Sequence, residues 1–194
     1  MVTGSGTGTG IPTGTGGETP GGPGAGAGLR GAGTTRLEAE LTELAGSVPD
    51  PELPVLTLAE LGVVRGVRMH EDGHAEVTLT PTYTGCPAIE AMSADIERVL
   101  TGHGIPRVRV TTVLAPAWST DDISAEGRRK LAEFGIAPPR PHAAGGPVPL
   151  TLSVRCPHCG STATELLSRF SSTACKALRR CTACREPFDH FKEL

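Results

Sequence analysis

Four cysteines near the C-terminus constrain this chain more than any other feature of its sequence. Cys156-x2-Cys159 and Cys181-x2-Cys184 are separated by 21 intervening residues. Each pair can form a tight turn, and two such turns supply four sulfurs in the tetrahedral array that Zn²⁺ prefers. The segment around them has only about 45 residues and few large apolar side chains, too little for a self-sufficient core. We therefore predict a structural metal site on these four cysteines.

Other chemistry on the same four cysteines stays open at this stage. Two disulfides would satisfy the pairing, but an intracellular location favours metal or thiol chemistry. An iron–sulfur cluster also accepts four cysteines. Gly160, directly after the first pair, suits a turn that needs a positive φ. His158 and His190 lie near the cysteines in sequence. Because four cysteines are enough to bind one metal ion, we expect these histidines to face solvent or to contact the ligands rather than the ion.

The N-terminal segment has the opposite character. Of the 26 glycines, 14 lie in residues 1–33, mixed with Thr, Ser and Pro. Such a composition buries too little apolar surface to offset its ordering entropy, so we predict a disordered tail over residues 1–35. The start lacks the apolar and basic regions of a signal peptide, and no apolar run approaches the roughly 18 residues of a membrane span. These features predict a cytoplasmic protein.

The net charge of −3 gives no electrostatic reason to expect binding to nucleic acid or to an anionic membrane. Hydrophobic periodicity instead predicts an α+β fold, with a small α/β domain over residues 36–137 in the order helix, strand, strand, helix, strand. Residues 138–149 are rich in Pro, Gly and Ala and are predicted to be a linker. The cysteine-rich segment, residues 150–194, is then a second domain, a zinc ribbon.

Local signals place the elements of the first domain. Asp50 before Pro51 is typical of a helix N-cap followed by a proline at the first helical position. Thr57 and Glu60 have the spacing of a capping box for one short turn that ends at Gly62. The other predicted elements are a helix that begins near Thr35 with Gly46 as its C-cap, strands over 63–69 and 75–80 joined by an Asp-Gly turn, a helix over 87–101, a strand over 108–114, and a last helix that ends at Gly135.

Cys86 stands apart from the other cysteines, between a strand and a helix. If Pro87 is the first helical residue, Cys86 is the N-cap, where free amides and the helix dipole lower a thiol pKa. The alternative is an ordinary small residue at a strand–helix corner, and no base follows at a spacing typical of cysteine hydrolases. Cys175 has two comparable interpretations, as a small buried side chain or as a spare ligand in a labile site.

Three segments together resemble a known family. They are DPELPVLTLAELGVVRGV, TPTYTGCPAIEAM and APAWSTDDISAEGRRKLAEFGIAPP, and they resemble the small α/β domain of iron–sulfur cluster assembly proteins. The resemblance is greatest to the variant in the accessory subunit of phenylacetyl-CoA oxygenase, called PaaD or PaaJ. The stretch CPHCGSTATELLSRFSSTACKALRRCTACREPFDHFK resembles the C-terminus of the same subunit. The similarity covers about residues 36–194.

The resemblance implies a place in the multicomponent system that epoxidises the ring of phenylacetyl-CoA during aerobic phenylacetate breakdown. Other subunits of that system carry the di-iron centre and the flavin and iron–sulfur reductase. This chain has neither the two Glu-x-x-His helices of a di-iron bundle nor a glycine-rich nucleotide fingerprint between a predicted strand and a predicted helix. We therefore expect an accessory or maturation factor rather than an enzyme, with the other oxygenase subunits or their reductase as partners.

For the residues, the resemblance implies that Cys86 is a reactive thiol or transient metal ligand, with Asp50 or Thr84 shaping its pocket. The ribbon would hold structural Zn²⁺ and serve as a docking module or as a clamp on the client protein, while iron or an iron–sulfur cluster would be transient. Two other functions stay open: a purely structural subunit of the oxygenase complex, and a thiol-dependent enzyme in its own right. A homodimer is also open, since small α/β domains with exposed strand edges often dimerise.

Overall fold

In a computed structural model of the chain, the described residues are Met1, 3–6, 35–141 and 153–193. The segment Thr34–Leu194 forms one compact unit. Most of the predicted disordered tail and most of the predicted linker lie outside the described residues, so both stay predictions. In the part of the chain that the structure describes, no helix has the length and apolarity needed to cross a membrane.

The elements of the first domain follow the predicted order. The helices are α1 (Arg36–Gly46), α2 (Leu58–Leu61), α3 (Ile89–Gly102) and α4 (Ala125–Glu133), with a 3-10 turn at Thr120–Asp122. The strands are β1 (Val64–Met69), β2 (Ala75–Leu79), β3 (Val108–Thr112) and the two-residue β4 (Ile136–Ala137). The cysteine-rich segment adds β5 (Thr164–Ser168), β6 (Lys176–Cys181) and β7 (Pro187–Phe191).

The first sheet has the order β1-β2-β3, with β1 antiparallel and β3 parallel to β2. Ala75, Val77 and Leu79 alternate inward along β2, as the period-two pattern predicts. Helix α3 covers this sheet with the buried stripe Met92, Ile96 and Leu100, which matches the predicted helical periodicity. These layers confirm the α+β class of the fold.

The predicted capping box of α2 is present. The Thr57 hydroxyl accepts a hydrogen bond from the Glu60 amide at 3.2 Å, and the Glu60 carboxylate accepts one from the Thr57 amide at 2.9 Å. Gly62 ends this helix with φ +76°, and a Cβ built there would lie 2.4 Å from the Asp122 carbonyl oxygen. Glycine is therefore required at this position by both backbone conformation and space.

The second sheet has the order β4-β7-β6-β5 and contains strands from both the first domain and the cysteine-rich segment. Strands β5, β6 and β7 are antiparallel neighbours, as a ribbon requires, while β4 pairs with β7 in parallel. Since β4 follows α4 directly, the end of the first domain supplies an edge strand to the ribbon. The ribbon's Cys175 and Phe191 are buried in the same hydrophobic core as α1, β2 and α3, and the Phe191 ring lies 6.0 Å from that of Trp118.

Candidate functional site

The four ribbon cysteines converge at one point. Their ligand atoms all lie within 4.8 Å of one another. The Cys156 and Cys184 sulfurs are 3.8 Å apart, and those of Cys159 and Cys181 are 3.5 Å apart. Sulfurs in a tetrahedron around Zn²⁺, at about 2.3 Å from the metal, would be about 3.8 Å apart. The donor set and its spacing therefore fit one tetrahedral metal ion.

Two matching turns build this cluster. In the first, the Gly160 amide donates to the Cys156 carbonyl at 2.9 Å, and Gly160 has φ +74° as its position predicts. In the second, Arg185 occupies the equivalent position after the cysteine pair, with φ +69°. The Cys184 amide donates to the Cys181 sulfur at 3.5 Å and is the main cause that lowers the pKa of Cys181 to about 6. This hydrogen bond favours the thiolate form of Cys181, which is the form that binds a metal ion.

Cys86 lies in the loop before α3, and its predicted role as helix N-cap is wrong. The helix begins at Ile89, its N-cap is Ala88, and no side chain caps it. Because the Cys86 thiol is half-buried one turn before the helix, burial raises its pKa rather than the dipole lowering it. The amide of Ala88 and the hydroxyl of Tyr83 oppose this rise, and the carboxylates of Glu52 and Asp50 add to it.

Cys86 lines a small cavity of about 10 Å³ that lies between the two domains. Cys175, from the turn before β6, lines the same cavity. Two carboxylates complete its polar lining, those of Asp50 and Glu52. The remaining wall is mostly apolar: Leu53, Leu61, Val63, Thr82, Met92 and Phe191.

Asp50 is fixed by its own backbone. One carboxylate oxygen, Oδ1, accepts hydrogen bonds from the amides of Glu52 at 2.8 Å and Leu53 at 2.7 Å. These are the bonds of the predicted N-cap, but the helix does not form, and residues 51–56 are irregular, with bends and one turn. The other oxygen, Oδ2, makes no hydrogen bond within the described part of the chain. The residue is 5% exposed, and burial raises the pKa of its carboxyl group.

Cys175 is positioned by the ribbon sheet. Its carbonyl accepts a hydrogen bond from the Lys192 amide at 3.0 Å, which extends the β6–β7 pairing by one step. Its sulfur lies 3.0 Å from the Thr173 hydroxyl, and the residue is 4% exposed. Burial raises the pKa of the Cys175 thiol, and the nearby Glu52 carboxylate adds to the rise. Both cavity thiols are therefore protonated at neutral pH.

The residues beside Cys86 differ from the sequence-based expectation, although Asp50 lines the cavity. Thr84 is exposed and is absent from the described cavity lining, where Thr82 of the same loop lies instead. Glu52, which no sequence signal singles out, is half-buried and lines the cavity. Sequence reasoning leaves Cys175 open between packing and ligation, because no local signal shows that the ribbon folds back onto Cys86.

Comparison with known proteins agrees with this architecture. A family described as "Iron-sulfur cluster assembly protein" matches residues 38–115, and one described as "PaaD zinc beta ribbon domain" matches residues 143–192. A protein of Escherichia coli K12, provisionally named as one of the subunits of 1,2-phenylacetyl-CoA epoxidase, is 47% identical over 153 residues. That alignment covers 79% of this chain and 91% of the relative.

Shorter relatives match about half of this chain. A protein of Porphyromonas gingivalis named as an Fe-S protein maturation auxiliary factor is 30% identical, over 50% of this chain and 91% of the relative. A crystal structure of the DUF59 domain from Bacillus anthracis is 30% identical, with a TM-score of 0.45, over 48% of this chain and 90% of that one.

The fold and the cysteine cluster therefore define an iron–sulfur assembly-type domain joined to a zinc ribbon. The chain belongs to the PaaD family of phenylacetyl-CoA epoxidase subunits.

Proposed function

We propose that this chain is an accessory factor of the phenylacetyl-CoA epoxidase system that helps to load iron, alone or as an iron–sulfur cluster, into the oxygenase or its reductase. Cys86 acts as the transient thiolate ligand of the cargo. The ribbon holds structural Zn²⁺ on Cys156, Cys159, Cys181 and Cys184.

The observation that carries this proposal is the cavity beneath Cys86. Its thiol is half-buried, so it can be reached from outside, and the carboxylates of Asp50 and Glu52 lie beside it. Carboxylates raise the pKa of a thiol by repelling its anion, and by the same electrostatics they attract a cation. An incoming metal ion displaces the thiol proton, and the proton returns when the ion leaves, so transfer needs no redox step.

The relatives point the same way. The alignment over 153 residues is to a protein named for an epoxidase subunit, and the shorter alignments, over 97 and 80 residues, are to proteins named for Fe-S protein maturation. The combination favours a maturation function directed at the epoxidase system. In this function the chain binds and releases metal and does not catalyse the epoxidation.

The test is the metal content of the client proteins. The oxygenase subunits and the reductase are produced together with the wild-type chain, with Cys86→Ser, or with no chain, and then purified and analysed for iron per polypeptide. We expect Cys86→Ser to give clients as poor in iron as those made without the chain. Thr84→Ala is the matched control, since Thr84 lies in the same loop, is exposed and does not line the cavity.

Two results would contradict the proposal. Clients fully loaded with iron in the presence of Cys86→Ser would show that the thiol is not required. Clients that need the chain for assembly into a stable complex, but not for iron, would instead identify it as a purely structural subunit. Circular dichroism and zinc content of the variant must equal those of the wild type, so that loss of folding does not imitate loss of function.

A further inference from the structure

We propose that Cys175 of the ribbon is the second sulfur ligand of the Cys86 cavity, and that this cavity binds a single ferrous ion between two thiolates and the carboxylates of Asp50 and Glu52. This inference rests on the proposed iron-handling function and assigns its cargo. The ribbon is then part of the cargo site as well as a structural module.

The placement of Cys175 supports this role. The four polar groups come from three separate parts of the chain and meet only because β6 and β7 pack on the first domain. Cys175 is 4% exposed and lies in the core that surrounds Cys86, although 88 residues separate the two in sequence. Packing alone would be served by any small apolar residue, whereas a second thiol beside two carboxylates adds a soft donor to a cation site.

The size of the cavity limits the occupant. About 10 Å³ is close to the smallest volume that holds one water molecule, so one ion fits and a preassembled iron–sulfur cluster does not. The cargo at this site is therefore a metal ion, and any cluster is completed elsewhere.

The charges around the cavity favour a cation. Asp50 and Glu52 bring two carboxylates, and each raises the pKa of the Cys86 thiol. Lys176 is the nearby positive charge and is 5% exposed, but its ammonium group lies 3.1 Å from the Asp189 carboxylate. The Lys176 charge acts to lower the pKa of Asp50 and Glu52, against the rise that burial causes, and so favours the ionised carboxylates that attract a cation.

Two thiolates and two carboxylates suit a borderline divalent ion such as Fe²⁺, since purely hard ions avoid sulfur. Among the described residues, only the ribbon cysteines bring three or more ligand atoms within 4.8 Å of one another. The cavity ligands must therefore close on the ion by side-chain rotation, which the half-buried Cys86 and Glu52 permit. A site that closes on binding is more labile than the preformed zinc site, as cargo requires. Binding releases one proton from each thiol, with no change in the oxidation state of iron.

The test is anaerobic binding of Fe²⁺ by the full-length chain with its ribbon already loaded with zinc. Equilibrium dialysis followed by metal analysis gives the iron bound per chain and its affinity, and the zinc content shows that the ribbon site is undisturbed. We expect one Fe²⁺ per wild-type chain. Both Cys86→Ser and Cys175→Ser should weaken binding at least tenfold, since even the loss of a residue that only supports a ligand costs about 10- to 100-fold.

Ala177→Ser is the matched control. Like Cys175, Ala177 belongs to the β6 region and is 4% exposed, but it does not line the cavity, so a buried hydroxyl there should leave iron binding unchanged. If Cys175→Ser fails to fold, Cys175→Ala serves in its place. Co²⁺ titration gives a second readout, because the sulfur-to-cobalt absorption should fall by about half in either single variant.

Two outcomes would overturn the inference. Wild-type affinity in Cys175→Ser, with binding lost only in Cys86→Ser, would reduce Cys175 to packing while leaving the proposed function intact. No second metal in the zinc-loaded wild type would show that the cavity is not an ion site. Neither result depends on client loading, so failure of the proposed function itself is seen separately in the iron content of the client proteins.

Discussion

Phe191 connects the ribbon to the first domain, and its truncation should weaken that connection. The ring is 0% exposed, lies in the main core and contacts Trp118 at a centroid distance of 6.0 Å. Truncation of a buried Phe to Ala costs about 3–5 kcal/mol of unfolding free energy, through lost transfer energy and a residual cavity. The tilted pair with Trp118 accounts for roughly 0.5–1.5 kcal/mol of that sum. We expect Phe191→Ala to destabilise the protein by about 4 kcal/mol.

The chain carries its own reporter for this experiment. Trp118 is the single tryptophan, is 6% exposed, and donates a hydrogen bond from Nε1 to the Leu61 carbonyl at 2.9 Å. Its fluorescence, followed in urea with zinc present, reports the region where the ribbon meets the first domain. The free energy of unfolding follows from the midpoint and slope of the transition. Zinc content measured alongside shows whether the cysteine cluster survives.

Phe134→Ala is the matched control, since this phenylalanine is 65% exposed and its truncation should change the free energy of unfolding by less than about 0.5 kcal/mol. If Phe191→Ala is no less stable than Phe134→Ala, the ribbon does not share a core with the first domain. That result would also remove Cys175 from the neighbourhood of Cys86. A biphasic transition, with an early change in fluorescence, would indicate that the ribbon separates before the first domain unfolds.

The remaining predictions concern the ribbon. Cys156→Ser should abolish zinc binding and unfold the ribbon because metal binding and folding are coupled there; a folded ribbon without zinc, by circular dichroism and metal analysis, would contradict this. Burial, with the charges of Arg179 and Arg140, lowers the pKa of His190 to about 4. The unfolded state, with a pKa near about 6.5, then binds more protons, so stability should fall as pH drops from about 6.5 toward 4. His190→Gln should reduce the loss in urea stability between pH 7 and 5 by about 1–2 kcal/mol, whereas equal losses in both proteins would refute this origin.

Several parts of the fold can be predicted because their signals are local. The Thr57–Glu60 capping box, the inward alternation of β2 and the buried stripe of α3 each depend on residues a few positions apart. The spacing of the ribbon cysteines belongs to the same class, since each pair closes its own turn. In these cases backbone geometry converts sequence spacing directly into structure.

Local signals are least accurate around Cys86. They predict a helix that begins at Pro87, and the helix begins at Ile89. Asp50 makes the hydrogen bonds of an N-cap without a helix to follow. Both segments line the cavity beside the ribbon. Their backbone conformation there follows tertiary packing, because helix propensity contributes only small differences in free energy per residue.

The sequence by itself determined the class of the fold, the order of the main elements in its first domain and the set of four cysteines that can bind one metal ion. Only the tertiary structure decided that β4 joins the ribbon sheet, that Phe191 packs near Trp118, and that Cys175 shares a cavity with Cys86. These contacts join residues tens of positions apart. Their stability comes from apolar surface buried between two domains, which depends on the shapes of both surfaces and leaves no periodic signal in either.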